Sequence, residues 1–588
     1  MNSTPEIMIE AGTAIEWLDY GPFPQPETPL NTIPVLEQNG NVQFLATPGD
    51  TTGSGGLGDK YNFIQNSRAS MAYVTGSHAM KLGLQLRHGV KKFAEIGSPI
   101  DYRLQGGVPN QVTLFAYPLL FHENMRALMG LYVQDQWTIK RLTLGPGLRF
   151  DYENAYVPAQ HLDAGGFVGA RDFGEVDCVP CWKDLNPRLS AAYDLFGTGN
   201  TAVKFSVGRY TAEEILTTAH NNNPLLASNA SASRAWHDDN HDYIPNCDFS
   251  NALGNGECGP LGNPNFGKVV TTNRYASDVL TANRPYNWAT SVSLQHQLYP
   301  GVAINVGYYR TSWDNFTVPD AQNVTPADYT EFCVPLPNDA LVPNAGRPLC
   351  GVYNVNPGKF GQDTTNLVTR LATGSYKDVY NGFDLTLNAR LPRGAFVQGG
   401  LNTGRETWSS CDPVDSPSGS GGIVPQPAGY SASTLTATAV NPTAFCTVTP
   451  PFWHPQFKFS GNYPLPYGFQ VAAVFQSLPG IPILANLVVP NSQVIGLGRP
   501  LAGGVANVTI ANIIPPQTEF ENRLNQLDVR FIRNLRVARV RIQGTLDIYN
   551  ALNEAAVLTE VTQYGATWRR PGSVLDARIF KFGVQMNF

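Results

Sequence analysis

Strand-like stretches come in pairs joined by very short turns, and long polar segments hold the pairs apart. Phe63–Gly76 and Ala79–Phe93 flank "GSHA", while Leu128–Ile139 and Leu142–Tyr152 meet at Lys140-Arg141. Arg188–Phe196 and Thr201–Tyr210 flank "GTGN", and Tyr286–Leu298 and Val302–Phe316 meet at "YPG". Tyr376–Leu391 and Ala395–Arg405 meet at "PRG", and Gln456–Tyr463 and Phe469–Gln476 flank "PLPYG". Leu524–Leu535, Val540–Asn550 and Val574–Phe588 complete about fifteen strands, most of them long enough for the ~9–11 residues of a tilted membrane strand. Successive side chains of a strand point to opposite faces. In the last stretch Phe580, Phe582, Val584, Met586 and Phe588 share one parity, and the other parity is mostly polar. Leu142, Leu144, Leu148, Phe150 and Tyr152 likewise oppose Arg141, Thr143, Arg149 and Asp151. An oily face against lipid and a polar face against a wet lumen give this pattern. The expected fold class is therefore all-β: a transmembrane antiparallel β-barrel of the outer-membrane type, incomplete in this chain at fifteen to seventeen strands, with long extracellular loops at 94–125, 154–185, 214–284, 317–375, 408–454, 478–522 and 552–571.

Composition agrees. Charged residues make up 15 %, against a usual quarter, while there are 56 glycines and 11 % aromatics. No apolar run approaches the ~18 residues of a transmembrane helix. The net charge of −6 excludes the basic stripe of a nucleic-acid binder, so no nucleic-acid partner is expected. A secreted β-sandwich or propeller array would share this composition, and only the alternation of short turns with long loops speaks against it. The start, "MNSTPEIMIEAGTAIEWLDYG", carries no signal-peptide pattern.

All eight cysteines fall in the long loops, two to a loop. A loop leaves and re-enters neighbouring strands, so its own two cysteines share a small volume, and bridging needs Cα atoms within about 7 Å. The expected pairs are Cys247–Cys258, Cys333–Cys350, Cys411–Cys446 and, in the tightest ring, Cys178–Cys181. "CVPC" has a rival reading as a redox or zinc motif, which no second C-x-x-C supports.

"GLYVQDQWTIKRLTLGPGLRFDYE" (Gly130–Glu153), "NPRLSAAYDLFGTGNTAVKFSVGRY" (Asn186–Tyr210), "DIYNALN" (Asp547–Asn553) and the terminal Phe588 resemble the TonB-dependent outer-membrane receptors. "YVTGSHAMKLGLQLR" and "RPYNWATSVSLQHQL" narrow the likeness to the Oar-like branch. The resemblance implies a barrel of about 22 strands blocked by a plug, energised through a TonB box, with Phe588 read by the barrel-assembly machinery. We recognise no plug, TonB box or signal peptide in residues 1–588. The expected organisation is a receptor β-barrel over 61–588. Residues 1–60 should supply one or two strands of it, from "IMIEAGTAIEWL" and "NVQFLA".

No G-x-S-x-G, H-E-x-x-H or P-loop is present, so no enzyme is expected. One loop, "WHDDNHDYIPNCDFSNALGNGECG", spaces Asp238, Asn240, Asp242, Asn246 and Asp248 evenly. Such oxygens suit calcium, although Tyr243 and Phe249 break the EF-hand pattern; a hydrated loop of Asx-turns is the preferred reading over calcium, and His237 with His241 would suit a transition metal less well. Parity places Arg149, Asp151 and Lys581 toward the lumen, as path-lining groups or as structural ladders. By resemblance, the function expected is a receptor or transporter whose loops bind a ligand that passes the outer membrane. Its partners would be lipid, the assembly machinery, a ligand, and the TonB complex through a part outside this sequence. A surface adhesion barrel without transport is the alternative.

Overall fold

The computed structural model describes residues 6–38, 42–47, 49, 56–213, 216–227, 229–263, 265–268, 274–360, 366–370, 377–409, 439–440, 446–451, 453–502 and 507–588. Among the described residues the regular structure is mostly strand with a few short helices, and the largest sheet has 17 strands, within the expected range. One, Thr447–Val448, is a two-residue strand that shares its neighbour with Gln456–Pro464. Setting it aside leaves sixteen long strands (17 − 1) among the described residues. The chain divides into two compact units, one of residues 1–134, 147–186 and 211–284, the other of 135–146, 187–210 and 285–588.

In the first unit Glu6–Tyr20 pairs along its length with Lys60–Thr75, which pairs with His78–Glu95. Thr75 lies opposite His78, so only Gly76 and Ser77 form the turn. Gly76 has φ +54°, the left-handed conformation that two-residue hairpins favour and glycine adopts freely. Ile9, Met71 and Leu82 stand in one row across the three strands, each substantially exposed. The opposite face is polar, and there Arg87 Nε donates to Asn66 Oδ1 at 2.7 Å. The alternation read in the sequence thus separates an oily outer row from a polar inner one.

Of the two front stretches, one joins the large sheet. "IMIEAGTAIEWL" lies within the Glu6–Tyr20 strand, but "NVQFLA" yields only Val42–Phe44. That short piece belongs to a separate five-stranded sheet with Val35–Glu37, Ile100–Gln105, Val108–Phe115 and Ser231–Ala235. Segments read as plain loops therefore carry strands of their own.

In the second unit the strands run as an antiparallel meander from Tyr286–Tyr299 through Val302–Asp314, Lys377–Arg390 and Phe396–Ser409 to Gln456–Pro464, Phe469–Leu478, Leu524–Val537, Val540–Tyr549 and Ile579–Asn587. Lys377–Arg390 pairs residue for residue with Phe396–Ser409. Such unbroken ladders are what a bilayer demands, because lipid offers no hydrogen-bond partner to an unpaired amide. Leu294, Val306 and Leu385 align across three strands, as do Phe531, Leu546 and Phe582. Phe582 is 77 % and Val584 70 % exposed, so the last strand offers its oily parity outward to the end of the chain.

Candidate ligand-facing loops

Within each unit the short turns and the long connections alternate along antiparallel strands, so the two kinds of connection leave at opposite strand ends. The long connections are not slack. In the first unit Val112 and Leu114 of the five-stranded sheet form a buried cluster with Trp236, and Phe115, Leu119, Phe121, Leu162 and Leu225 form a second apolar cluster. In the second unit three long connections share one core. Phe332, Val334 and Val352 come from the first of them, Ile483, Val489, Ile510 and Ile513 from the second, and Tyr564 and Trp568 of the third pack against them. Burying such side chains contributes roughly 1.5–3 kcal/mol each.

Arginines tie these clusters to the surrounding backbone. Arg234 is almost fully buried. Its Nε donates to the Gly259 carbonyl at 2.9 Å, Nη1 to Asp248 at 3.2 Å and Nη2 to Leu253 at 2.6 Å. In the second unit Arg499 donates to Asn354 Oδ1 at 2.7 Å and to the Val355 carbonyl at 3.1 Å. Arg569 Nε reaches Glu521 Oε1 at 2.7 Å, and Trp568 Nε1 the Leu484 carbonyl at 2.9 Å. A buried carbonyl needs a donor, and one guanidinium can supply several. Sequence reasoning missed these residues. An arginine inside a small-residue strand, as in "SASRAW", was the available signal for Arg234.

Disulfides join Cys178 to Cys181, Cys247 to Cys258 and Cys333 to Cys350. Cys446 is also disulfide-bonded; Cys411 lies outside the described residues. The Cys333 staple crosses the hairpin of Tyr329–Pro335 and Pro348–Val355, and Cys333 exchanges both backbone bonds with Ile495 of another loop, at 2.9 and 2.8 Å.

The acidic loop keeps its oxygens for its own backbone. Asp238 accepts from the amides of Asp242 and Tyr243, both at 3.1 Å. Asn240 accepts from the Asp242 amide at 3.0 Å, and Asp242 from that of Ile244 at 2.7 Å. Asp248 accepts from the Ser250 hydroxyl at 2.6 Å, a bond that holds its carboxyl below the usual range. Asn246 donates its amide to Glu257, which is lowered for the same kind of reason. These are Asx-turns and amide caps. Among the described residues no group of three or more His, Cys, Asp or Glu is placed to hold a metal ion.

Each residue assigned to the inner face has polar neighbours within its own unit. Arg149 Nε donates to Asp151 Oδ1 at 2.7 Å, and Asn186 donates to Asp151 Oδ2 at 2.7 Å. Lys581 stands opposite Asp547, which also pairs with Arg530 at 3.1 Å. Arg149–Asp151 is a polar pair along one strand and Asn186–Asp151 and Arg530–Asp547 are cross-strand pairs, on the face opposite the oily rows.

A family model described as an outer membrane beta barrel domain matches residues 18–567. Among solved structures the chain is similar to the outer membrane transporter YddB from Escherichia coli, at 12 % identity and a TM-score of 0.51, covering 98 % of this chain and 60 % of that one. It also matches the copper transporter OprC, at 10 % identity and a TM-score of 0.44, over 99 % of this chain and 62 % of the other. The chain thus spans about 60 % of the length of these structures. No curated protein matches its sequence. With a family match over nearly its whole length and an oily outer face on its strands, the chain belongs to the outer-membrane β-barrel family, and its place is the outer membrane.

Proposed function

We propose that this chain is the barrel part of a TonB-dependent receptor of the Oar-like branch, which captures a ligand with its long loops and passes it across the outer membrane. The observation that carries the reading is the order in those loops, where apolar clusters, arginine clamps and staples hold a large surface in one shape. A pre-shaped surface loses less entropy on binding than a slack one. The inner polar pairs of Arg149, Asp151 and Lys581 support a wet path behind the oily wall. In this reading coupling to the TonB complex belongs to a plug and TonB box and is assigned to no residue of 1–588. Phe588, 96 % exposed at the end of its strand, is the group offered to the barrel-assembly machinery. The role is binding and passage, without catalysis.

Uptake tests it. Cells with the full-length receptor, and cells whose receptor lacks the plug, are given a radiolabelled small-molecule extract. Accumulation that requires the intact receptor and the proton gradient supports transport. Retention at the surface with no accumulation in either strain means an adhesion barrel instead.

A further inference from the structure

In the first unit a cavity of about 290 Å³ lies between the strand wall and the short helix Thr217–Asn221. The register explains its shape. Asn62 stands opposite Lys91, Ile64 opposite Gly89 and Asn66 opposite Arg87, so Arg87, Gly89 and Lys91 share one face of their strand. Gly89 leaves the space between the two cations open. A Cβ there would meet only the Phe63 carbonyl oxygen at 3.3 Å and Ile64 Cγ1 at 4.0 Å. Ile64, Met125 and Leu216 supply the apolar lining, and His220 of the helix closes one side.

The charges around it are unevenly matched. Glu123 is fully buried, and its Oε1 already takes His220 Nδ1 at 2.8 Å and Asn223 Nδ2 at 2.9 Å. Arg87 is held by Asn66 and by Glu213. Lys91 is different. Its ammonium lies over the Phe93 ring at 4.4 Å, and its nearest carboxylate oxygen among the described residues is Glu123 Oε2, at 3.8 Å. That contact is an ion pair but lies beyond hydrogen-bond distance, so among the described residues no acceptor takes the ammonium's N–H donors at the wall of the largely apolar cavity. The Lys91 side chain is only 22 % exposed. A largely desolvated ammonium favours a charged acceptor over a neutral one.

We propose that this cavity binds a small monocarboxylate with an apolar body. The carboxylate would accept from Lys91, with Arg87 beside it, and the apolar body would lie along Ile64, Met125 and Leu216. The size is at the lower end of the ~300–1,000 Å³ usual for small-molecule sites, which suits a short-chain or single-ring acid. The proposal deepens the receptor reading, on which its biological use rests, by naming a ligand class.

The test uses the purified full chain in detergent, with tritiated octanoate as the probe and octanol and octylamine as competitors. Saturable octanoate binding that neither competitor displaces is expected. Lys91→Gln and the cavity-filling Gly89→Leu should each weaken it tenfold or more, and Lys91→Arg should restore most of it. Folding of every variant is checked by the heat-dependent shift of barrels on gels. Should Gly89→Leu fail to fold, Lys91→Gln still decides. Equal competition by octanol, or unchanged affinity in Lys91→Gln, overturns the site. Failure of the receptor reading looks different: octanoate binds and the variants behave as stated, yet no cell accumulates ligand.

Discussion

Replacing Arg234 by methionine removes the guanidinium while keeping much of the side-chain volume. Three carbonyls, those of Gly259, Asp248 and Leu253, then each lose a guanidinium bond beside the buried Trp236, although Asn255 Nδ2 still donates to the last two. A hydrogen bond contributes about 1 kcal/mol net, and more when one partner is charged. We take the lower figure because the 247–258 loop is exposed around the clamp and water can replace part of what is lost. The sum is about 3 kcal/mol against local opening, or roughly a hundredfold in the opening equilibrium. Hydrogen exchange followed by mass spectrometry on the full chain reads this directly. Amides between 236 and 262 should exchange about a hundredfold faster in Arg234→Met, while those of the Lys60–Thr75 and His78–Glu95 hairpin stay as they were. If the loop keeps its protection, the Cys247–Cys258 staple alone holds it, and the clamp argument is wrong.

Protease shaving of intact cells should cut within 214–284 or 317–375 and spare Gly76–Ala79, Lys140–Arg141, Gly197–Asn200 and Tyr299–Gly301; a cut at Lys140 in sealed cells would refute the topology. Non-reducing peptide mapping should recover Cys178–Cys181, Cys247–Cys258 and Cys333–Cys350, and a dominant Cys258–Cys333 peptide would break the rule of one staple per loop. Burial, with the Glu521 carboxylate beside it, pushes the Glu560 carboxyl up to about 7 from 4.5. A carboxyl raised on folding contributes stability below its unfolded value and loses it as pH rises through the folded one. Glu560→Gln should therefore steady the loops by about 1–2 kcal/mol at pH 8, a figure reduced for partial exposure, and change little at pH 4; chemical denaturation at both values checks the sign.

The hairpins were legible because period-2 alternation and tight turns are local signals. Leu142–Tyr156 begins where the pattern placed it, and Lys60–Thr75 and His78–Glu95 exceed their expected spans only by a few residues at their ends. The Glu6–Tyr20 strand was legible in part, since Ile7, Ile9, Ile15 and Trp17 keep one parity. The loop interiors were not. Their core gathers Phe332, Val352, Ile483, Ile510 and Trp568 at irregular spacing from connections far apart in sequence, and no short-range period announces such a core. The acidic loop was ambiguous for a chemical reason. Oxygens two residues apart can ligate calcium or cap their own amides, and the spacing is the same for both.

The shared core of the second unit also bears on how such a protein can vary. Phe332, Ile483 and Ile510 sit together with Tyr564 and Trp568 although their loops are separate stretches of chain. Recognition surfaces commonly diversify by exchanging one loop at a time, which requires each loop to fold without regard to its neighbours. Here the three loops pack into one core, so a change of shape in one should require an answering change in the others. Loops grafted from another outer-membrane barrel should survive as a set of three and fail singly, whereas the oily outer rows can drift residue by residue.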